Sequence, residues 1–390
     1  MEQKSRIGVI GTGFISKGLV IEIEKAYGLK VSRVLTRRNI DHCGEYPLND
    51  RLTNSVDELI EHSDVIVECC GDTIYGTETI LRIMEASIPV ITINADLQVT
   101  TGSYLASKGF ITEAEGDQPG CLAALRENVL SMGFKPLVYG NIKGFLNLNP
   151  SKEDMLYWAK KQGLNLGLQV SFTDGTKVQI EQALVANGLG ARAAVPGLLG
   201  TACEDVRIGA NIQAEYAKGL GYPISDYILS PKSPAGVYIA AEHDDRHKDY
   251  LRYLKLGDGP FYTLYTTFHL CHLEVVKTIR RVLGGGGVLL NNSTNPAVSI
   301  ASIAKRRLVP GEVIERGVGS FEVRGIAVNM EDHLNHVPIG LLTNAVVRQT
   351  VEEGQMLTFR DVDIPDSIAL SSWKEMEQNR RKEAFDLSAS

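Results

Sequence analysis

The stretch Ile7-Gly-Val-Ile-Gly11-Thr12-Gly13-Phe14-Ile15-Ser-Lys-Gly18 sets glycines where a short apolar run gives way to an amphipathic one. At a strand-to-helix turn, one glycine permits the tight bend and another lets the backbone approach a pyrophosphate. The helix N-terminus then offers free N–H groups and partial positive charge to the phosphates. Gly11 and Gly13 fit those roles, and Thr12, Phe14 and Ile15 complete the turn; Gly18 comes later than the commonest third glycine, a spacing met with NADP. The next apolar run ends Val34-Leu-Thr-Arg37-Arg38. An NAD site carries an acidic residue there for the ribose 2′-hydroxyl, whereas two guanidiniums suit a 2′-phosphate. The expected cofactor is therefore NADP(H), bound in part by Arg37 and Arg38; the alternative for the pair is a solvated basic loop.

Hydride transfer to a carbonyl also needs a proton donor, and a cation or hydrogen-bond donor for the developing alkoxide. Lys177, three residues after Asp174, lies near the start of a helical stretch. Capping alone also explains an aspartate at that point. Lys143 follows a strand-like run and suits a substrate phosphate or carboxylate; a solvated loop lysine is the alternative. His269 sits among aromatic and apolar residues, either as a proton carrier near neutral pH or as a satisfied core residue. His272 can share its helix face, but two histidines do not make a metal site, and the sequence shows no third ligand near them. Glu115 and Asp117 fall at a predicted sheet edge, where they are candidates for substrate hydroxyls or a divalent cation.

These residues need a framework. Runs at Ile7–Ile10, Val31–Leu35, Val65–Cys70, Val90–Ile93, Phe110–Ala114 and Leu137–Gly140 alternate with helical stretches at Ile15–Tyr27, Val56–His62, Thr77–Ala86, Gly102–Lys108 and Pro119–Met132. Such alternation predicts an α/β, doubly wound parallel sheet of the Rossmann kind over residues 1–141. An α+β catalytic and oligomerisation domain is expected over 142–297. It has a helix opened by Ser151 with Asp154, another over Asp174–Asn187, strands at Gly236–Ala241 and Tyr250–Leu254, and a helix from about Leu264 to Leu283 that ends at Gly284–Gly287. A weak internal repeat follows: Lys305-Arg-Arg-Leu-Val-Pro-Gly311-Glu-Val-Ile314 echoes Arg348-Gln-Thr-Val-Glu-Glu-Gly354-Gln-Met-Leu357. Each copy reads as strand, glycine turn and strand, a small β-clip over 298–370, before a charged terminal helix or tail over 371–390.

Three further stretches carry a family resemblance: Glu115-Gly-Asp-Gln-Pro119, Phe172-Thr-Asp-Gly-Thr-Lys177 with Glu181-Gln-Ala-Leu-Val-Ala-Asn187, and Tyr262-Thr-Leu-Tyr-Thr-Thr-Phe268-His269-Leu-Cys-His-Leu-Glu274. With the terminal repeat, the chain resembles homoserine-dehydrogenase-like oxidoreductases bearing a C-terminal SAF domain, including the deoxyxylulose-phosphate-reductoisomerase-like group. The resemblance implies Lys177 as general acid or substrate anchor, with Asp174 as its orienting partner. Homoserine dehydrogenases carry Ala-Asn-Lys after the strand corresponding to Val90–Ile93, whereas this chain has Asn94-Ala-Asp96. Asn94 (cofactor) and Asp96 (substrate) match the reductoisomerase-like group better. The expected function is NADPH-dependent reduction of a small polar carbonyl, a sugar phosphate or polyol derivative. Alternatives are oxidation of an amino-acid or hydroxy-acid alcohol, and a non-catalytic NADP-binding scaffold or sensor.

Composition bounds these readings. At 390 residues with 44% hydrophobic content the chain can bury substantial cores. A net charge of −7, with both signs interspersed, argues against a nucleic-acid or membrane-surface partner. No run suits a signal peptide or a transmembrane helix. Six scattered cysteines read as reduced thiols. A cytoplasmic homo-oligomer with a small-molecule substrate is the expectation.

Overall fold

The computed structural model describes residues 4–389. The chain forms two compact units, each assembled from separated segments. The first takes the chain up to Cys121, then His269–Asn295, then the stretch from Ser367; the second takes Leu122–Phe268 and Pro296–Asp366.

The first unit is built on a six-stranded sheet: β1 (Ser5–Ile10), β2 (Leu29–Leu35), β3 (Leu52–Thr53), β4 (Val65–Glu68), β5 (Val90–Thr92) and β6 (Ile111–Glu113). Its order is β3-β2-β1-β4-β5-β6 and every pairing is parallel. That is the strand order of a dinucleotide-binding sheet. Alternation along β1 and β4 sends successive side chains to opposite faces. Val9, Val65 and Val67 pack with Leu19 and Ile23 of the helix Phe14–Lys25 and with Val275 and Ile279 of the helix Cys271–Leu283. Ile10 and Ile66 pack on the other face with Leu59, Ile80 and Ile83. Both faces are thus covered, which explains why these strands read as unbroken apolar runs.

The second unit centres on a mixed sheet of β7 (Lys135–Lys143), β8 (Thr201–Ala202), β9 (Ile224–Leu229), β10 (Gly236–Glu242) and β11 (Phe261–Thr266), ordered β11-β10-β7-β9-β8. The helix Thr176–Leu189 is buried along most of its length, and Gln182 donates to the Tyr139 carbonyl at 2.9 Å, tying it to β7. The strand expected over Leu137–Gly140 is therefore β7 and joins the second sheet, not the first. Periodicity shows that a strand is buried, not which sheet it enters.

Two other expectations give way here. Tyr250–Leu254, expected as a strand, lies in the helix Lys248–Tyr253 and its end. Tyrosines favoured a strand, but the Asp244-capped turn just before it leads the chain into a helix. The single helix expected from Leu264 to Leu283 is β11 followed by the helix Cys271–Leu283. The β-branched and aromatic run Tyr262–Thr266 pairs antiparallel with β10, as its composition favours. The helix Val206–Leu220 and the strand β9 were not anticipated at all.

The C-terminal part of the second unit holds β12 (Val298–Ala304), β13 (Val313–Arg316), β14 (Val323–Asn329), β15 (Thr343–Val347) and β16 (Val362–Asp363). Here the two repeat copies pair with one another. Leu308 and Val351, equivalent positions, exchange backbone hydrogen bonds of 2.9 and 3.1 Å. Gly311 donates to Val347 and Gly354 donates to Ala304, again at equivalent positions. Val313 faces Val346, and Met356 faces Ile303. The copies are thus related by a local pseudo-twofold.

Candidate active site

At the end of β1, Gly11 has φ +108°, and an added Cβ would lie 3.0 Å from both the Cys69 carbonyl oxygen and Cys70 Cα. The turn is pressed onto the end of β4, and only glycine combines that φ with that closeness. Gly13 caps the following helix without a side-chain hydrogen bond, and no acidic residue occupies the first turn. An added Cβ at Gly13 would meet nothing within 4 Å. The helix end is thus left open for an anion. Thr12 is buried, 3.2 Å from Thr36 at the end of β2, while Phe14 is 75% exposed at the mouth of the turn, with Ile15 beside it.

The third position of the fingerprint is Ser16. Its fully buried hydroxyl lies 2.7 Å from the Gly11 carbonyl and 2.6 Å from the Tyr46 hydroxyl. Gly18 instead serves helix packing: a Cβ there would stand 2.6 Å from the His272 ring. Arg37 and Arg38 are both exposed beyond β2. Arg37 pairs with Asp72 at 2.7 Å and lies over the Tyr75 ring. Arg38 is held through its backbone, by Thr36 and Asn54.

Asn94 caps the short helix Ala95–Leu97 and reaches buried Glu68 at 3.4 Å. Asp96 is half-buried in the next turn, its carbonyl accepting from Thr100. Beyond β6, Glu115 pairs with Lys277 at 2.7 Å, and Lys277 also reaches Glu274 at 3.0 Å. Asp117, His269 and Cys271 converge, with one ligand atom of each within 4.8 Å of the others. Gln118 meets the His269 Nε2 at 3.2 Å.

The second unit carries a separate polar cluster. Glu181 is 1% exposed and sits between two lysines: Lys143 Nζ at 3.3 Å from Oε2, and Lys177 Nζ at 4.0 Å from Oε1. Asn141 donates to Oε2 at 2.8 Å. Lys143 ends β7 and Lys177 stands in the first turn of the helix Thr176–Leu189, so strand and helix together fix the pair. The lysine side chains are 20% and 14% exposed. Two ammonium groups thus flank one buried carboxylate.

Asp174, expected to orient Lys177, faces elsewhere. It accepts from the Thr176 N–H at 2.9 Å and pairs with Lys305 at 2.6 Å, both side chains almost wholly buried. Burial pushes its carboxyl upward, with Lys305 and Thr176 opposing. The residue that orients Lys177 is Glu181, one helical turn on. An i,i+4 Lys–Glu spacing within the quoted stretch was the available signal.

Residues 116–275 match a family model described as the catalytic domain of the oxidoreductase DRL. That stretch is thus similar to an oxidoreductase catalytic domain. It is similar to a solved homoserine dehydrogenase from Thiobacillus denitrificans, at 13% identity and TM-score 0.43 over 90% of this chain and 97% of that one. It is also similar to a UDP-N-acetylglucosamine 3-dehydrogenase from Acidithiobacillus ferrooxidans, at 11% identity and TM-score 0.42 over 74% of this chain and 91% of that one. No curated protein matches in sequence. Among the described residues, no helix is long and apolar enough to cross a membrane.

Proposed function

We propose that this enzyme uses NADPH to reduce a small polar carbonyl substrate carrying an anionic group, a sugar phosphate or polyol derivative, in the manner of the reductoisomerase-like group. The observation that carries this reading is the Lys143–Glu181–Lys177 cluster. Buried Glu181 keeps both ammonium groups in place, and a pair of ammonium groups suits a phosphate or carboxylate. Lys177 then serves as proton donor or anchor at the developing alkoxide, and Lys143 as the anion anchor. The cofactor supplies the hydride. Its pyrophosphate is read onto Gly11–Ile15, with Asn94 near the nicotinamide side, and its 2′-phosphate onto Arg38 with Arg37. Asp96, Glu115 and Asp117 are read as candidates for substrate hydroxyls or a divalent cation.

The pseudo-twofold repeat supports reading the region from Val298 as the SAF-like clip. The homo-oligomer reading is supported by Ile208, Ile212 and Tyr216, which form an exposed apolar stripe along the helix Val206–Leu220. The reading is tested by nicotinamide absorbance in the presence of phosphorylated carbonyls and their dephospho counterparts. NADPH oxidation with phosphorylated members, and much slower oxidation with dephospho ones, is expected. Equal rates with both would remove the anion-anchor role.

A further inference from the structure

The chain-distant residues Asp117, His269 and Cys271 meet within the first unit, and nothing in the hydride-transfer reading requires them to. Each offers one ligand atom, all within 4.8 Å of one another. The meeting is built into the backbone. Gly116 has φ +122°, and an added Cβ would lie 2.7 Å from the Cys271 carbonyl oxygen and 2.9 Å from its Cα. Only glycine lets the loop ahead of Asp117 lie directly against the first residue of the helix Cys271–Leu283. His269 enters from the two residues before that helix, and His272 after it packs on Gly18, so the helix start is held from both sides.

We propose that Asp117, His269 and Cys271 bind one first-row transition-metal ion, Zn²⁺ or a close analogue, with a coordination position left open. Thiolate, imidazole and carboxylate together are the donor set of zinc-type sites; Mg²⁺ and Ca²⁺ take all-oxygen sets. With bonds of roughly 2.0–2.3 Å, a tetrahedral ion holds its ligands within about 4 Å of each other, a small rotamer adjustment from this arrangement. Gln118 supplies the outer contact such a histidine needs. The Gln118 amide nitrogen faces Nε2 as placed; with the amide turned over, its oxygen accepts from Nε2–H and the ring presents the Nδ1 lone pair to the metal. Three protein ligands leave the fourth position to water or a substrate oxygen, as in catalytic zinc sites. The inference does not depend on the lysine cluster or on the identity of the substrate.

The test is titration of metal-stripped full-length protein with Co²⁺ as a spectroscopic stand-in for Zn²⁺. One equivalent is expected to bind, with an intense thiolate-to-cobalt charge-transfer band that Zn²⁺ abolishes. Cys271→Ser and His269→Ala should lose the band, while Cys43→Ser keeps it. Should Cys271→Ser fail to fold, alkylation of wild-type Cys271, followed by peptide mass spectrometry, gives the answer: one equivalent of Zn²⁺ should slow it by about tenfold or more. No band at equimolar Co²⁺, a band that survives in folded Cys271→Ser, or an alkylation rate indifferent to Zn²⁺ overturns the proposal.

Discussion

Lys177 stands one helical turn before Glu181 and 4.0 Å from its Oε1, while the other oxygen of that carboxylate is taken by Lys143 and Asn141. On the proposed reading, a proton donor and an anion anchor are thus tied to a single buried carboxylate. Lys177→Met should lower kcat by about 10²–10⁴-fold, the usual span for loss of a positioned acid. Lys143→Met should mainly raise KM for phosphorylated substrates. Steady-state kinetics on the purified variants separate the two, and a shift of kcat alone in both would remove the division of roles.

The two glycines of the cofactor turn should part company under mutation. At Gly11, alanine meets backbone at positive φ and should lower the melting temperature. At Gly13 the added methyl meets open space and an ordinary φ of −77°, so the fold should be unaffected. NADPH affinity should nevertheless fall by about tenfold, because that space is where the pyrophosphate is read. Arg38→Ala should weaken NADPH by a similar factor, since a charge-assisted hydrogen bond is worth about 1.5–3 kcal/mol, and should leave NADH unchanged. Fluorescence titration measures all three.

The Asp174–Lys305 pair is a separate matter from catalysis. Both side chains are at most 1% exposed, and Lys305 also donates to the Ser320 carbonyl at 2.6 Å. Removing one partner leaves the other charge buried and alone, at a cost of about 3–5 kcal/mol. Lys305→Met and Asp174→Asn should each destabilise the second unit by that amount. The double variant should recover part of the loss. Chemical denaturation shows whether it does; additive losses would mean the pair is not coupled.

Asp226 makes stability depend on pH. Burial pushes its carboxyl up to about 6, against the N–H groups of Leu199, Gly200 and Tyr227, which favour the charged form. A carboxyl that holds its proton more tightly in the fold than in the unfolded chain, where its pKa is about 3.9, stabilises the fold most below that lower value. The contribution is lost as pH rises through about 6. Across that window Asp226→Asn should remove this downward slope from the denaturation profile. A slope equal to that of wild type would assign it to another group.

The first unit was largely legible because its signals are local. Strand and helix periods alternate, Gly11 and Gly13 sit at the turn, and the sheet takes the expected parallel form. The second unit was read less well, for reasons of length scale. A short tyrosine-rich segment after Asp244 has no period to distinguish helix from strand, and Tyr262–Thr266 merged with the helix behind it. The site shows the same limit. Lys143 and Lys177 were visible as residue types, but their common partner Glu181 emerges only when β7 and the helix are packed together. Cys271 lies more than a hundred residues beyond Asp117, so no spacing rule connects them; Gly116 records that contact only in three dimensions.

Hydride transfer from NADPH to a carbonyl carbon of an anionic substrate is the proposed reaction. The most direct measurement is incubation with NADPH deuterated at the transferable position, followed by mass spectrometry of the product. One carbon-bound deuterium is expected in the alcohol formed from a phosphorylated carbonyl, with far less labelled product formed per unit time by Lys177→Met. Product without deuterium, or no labelled product from any phosphorylated or carboxylated carbonyl tested, would contradict it.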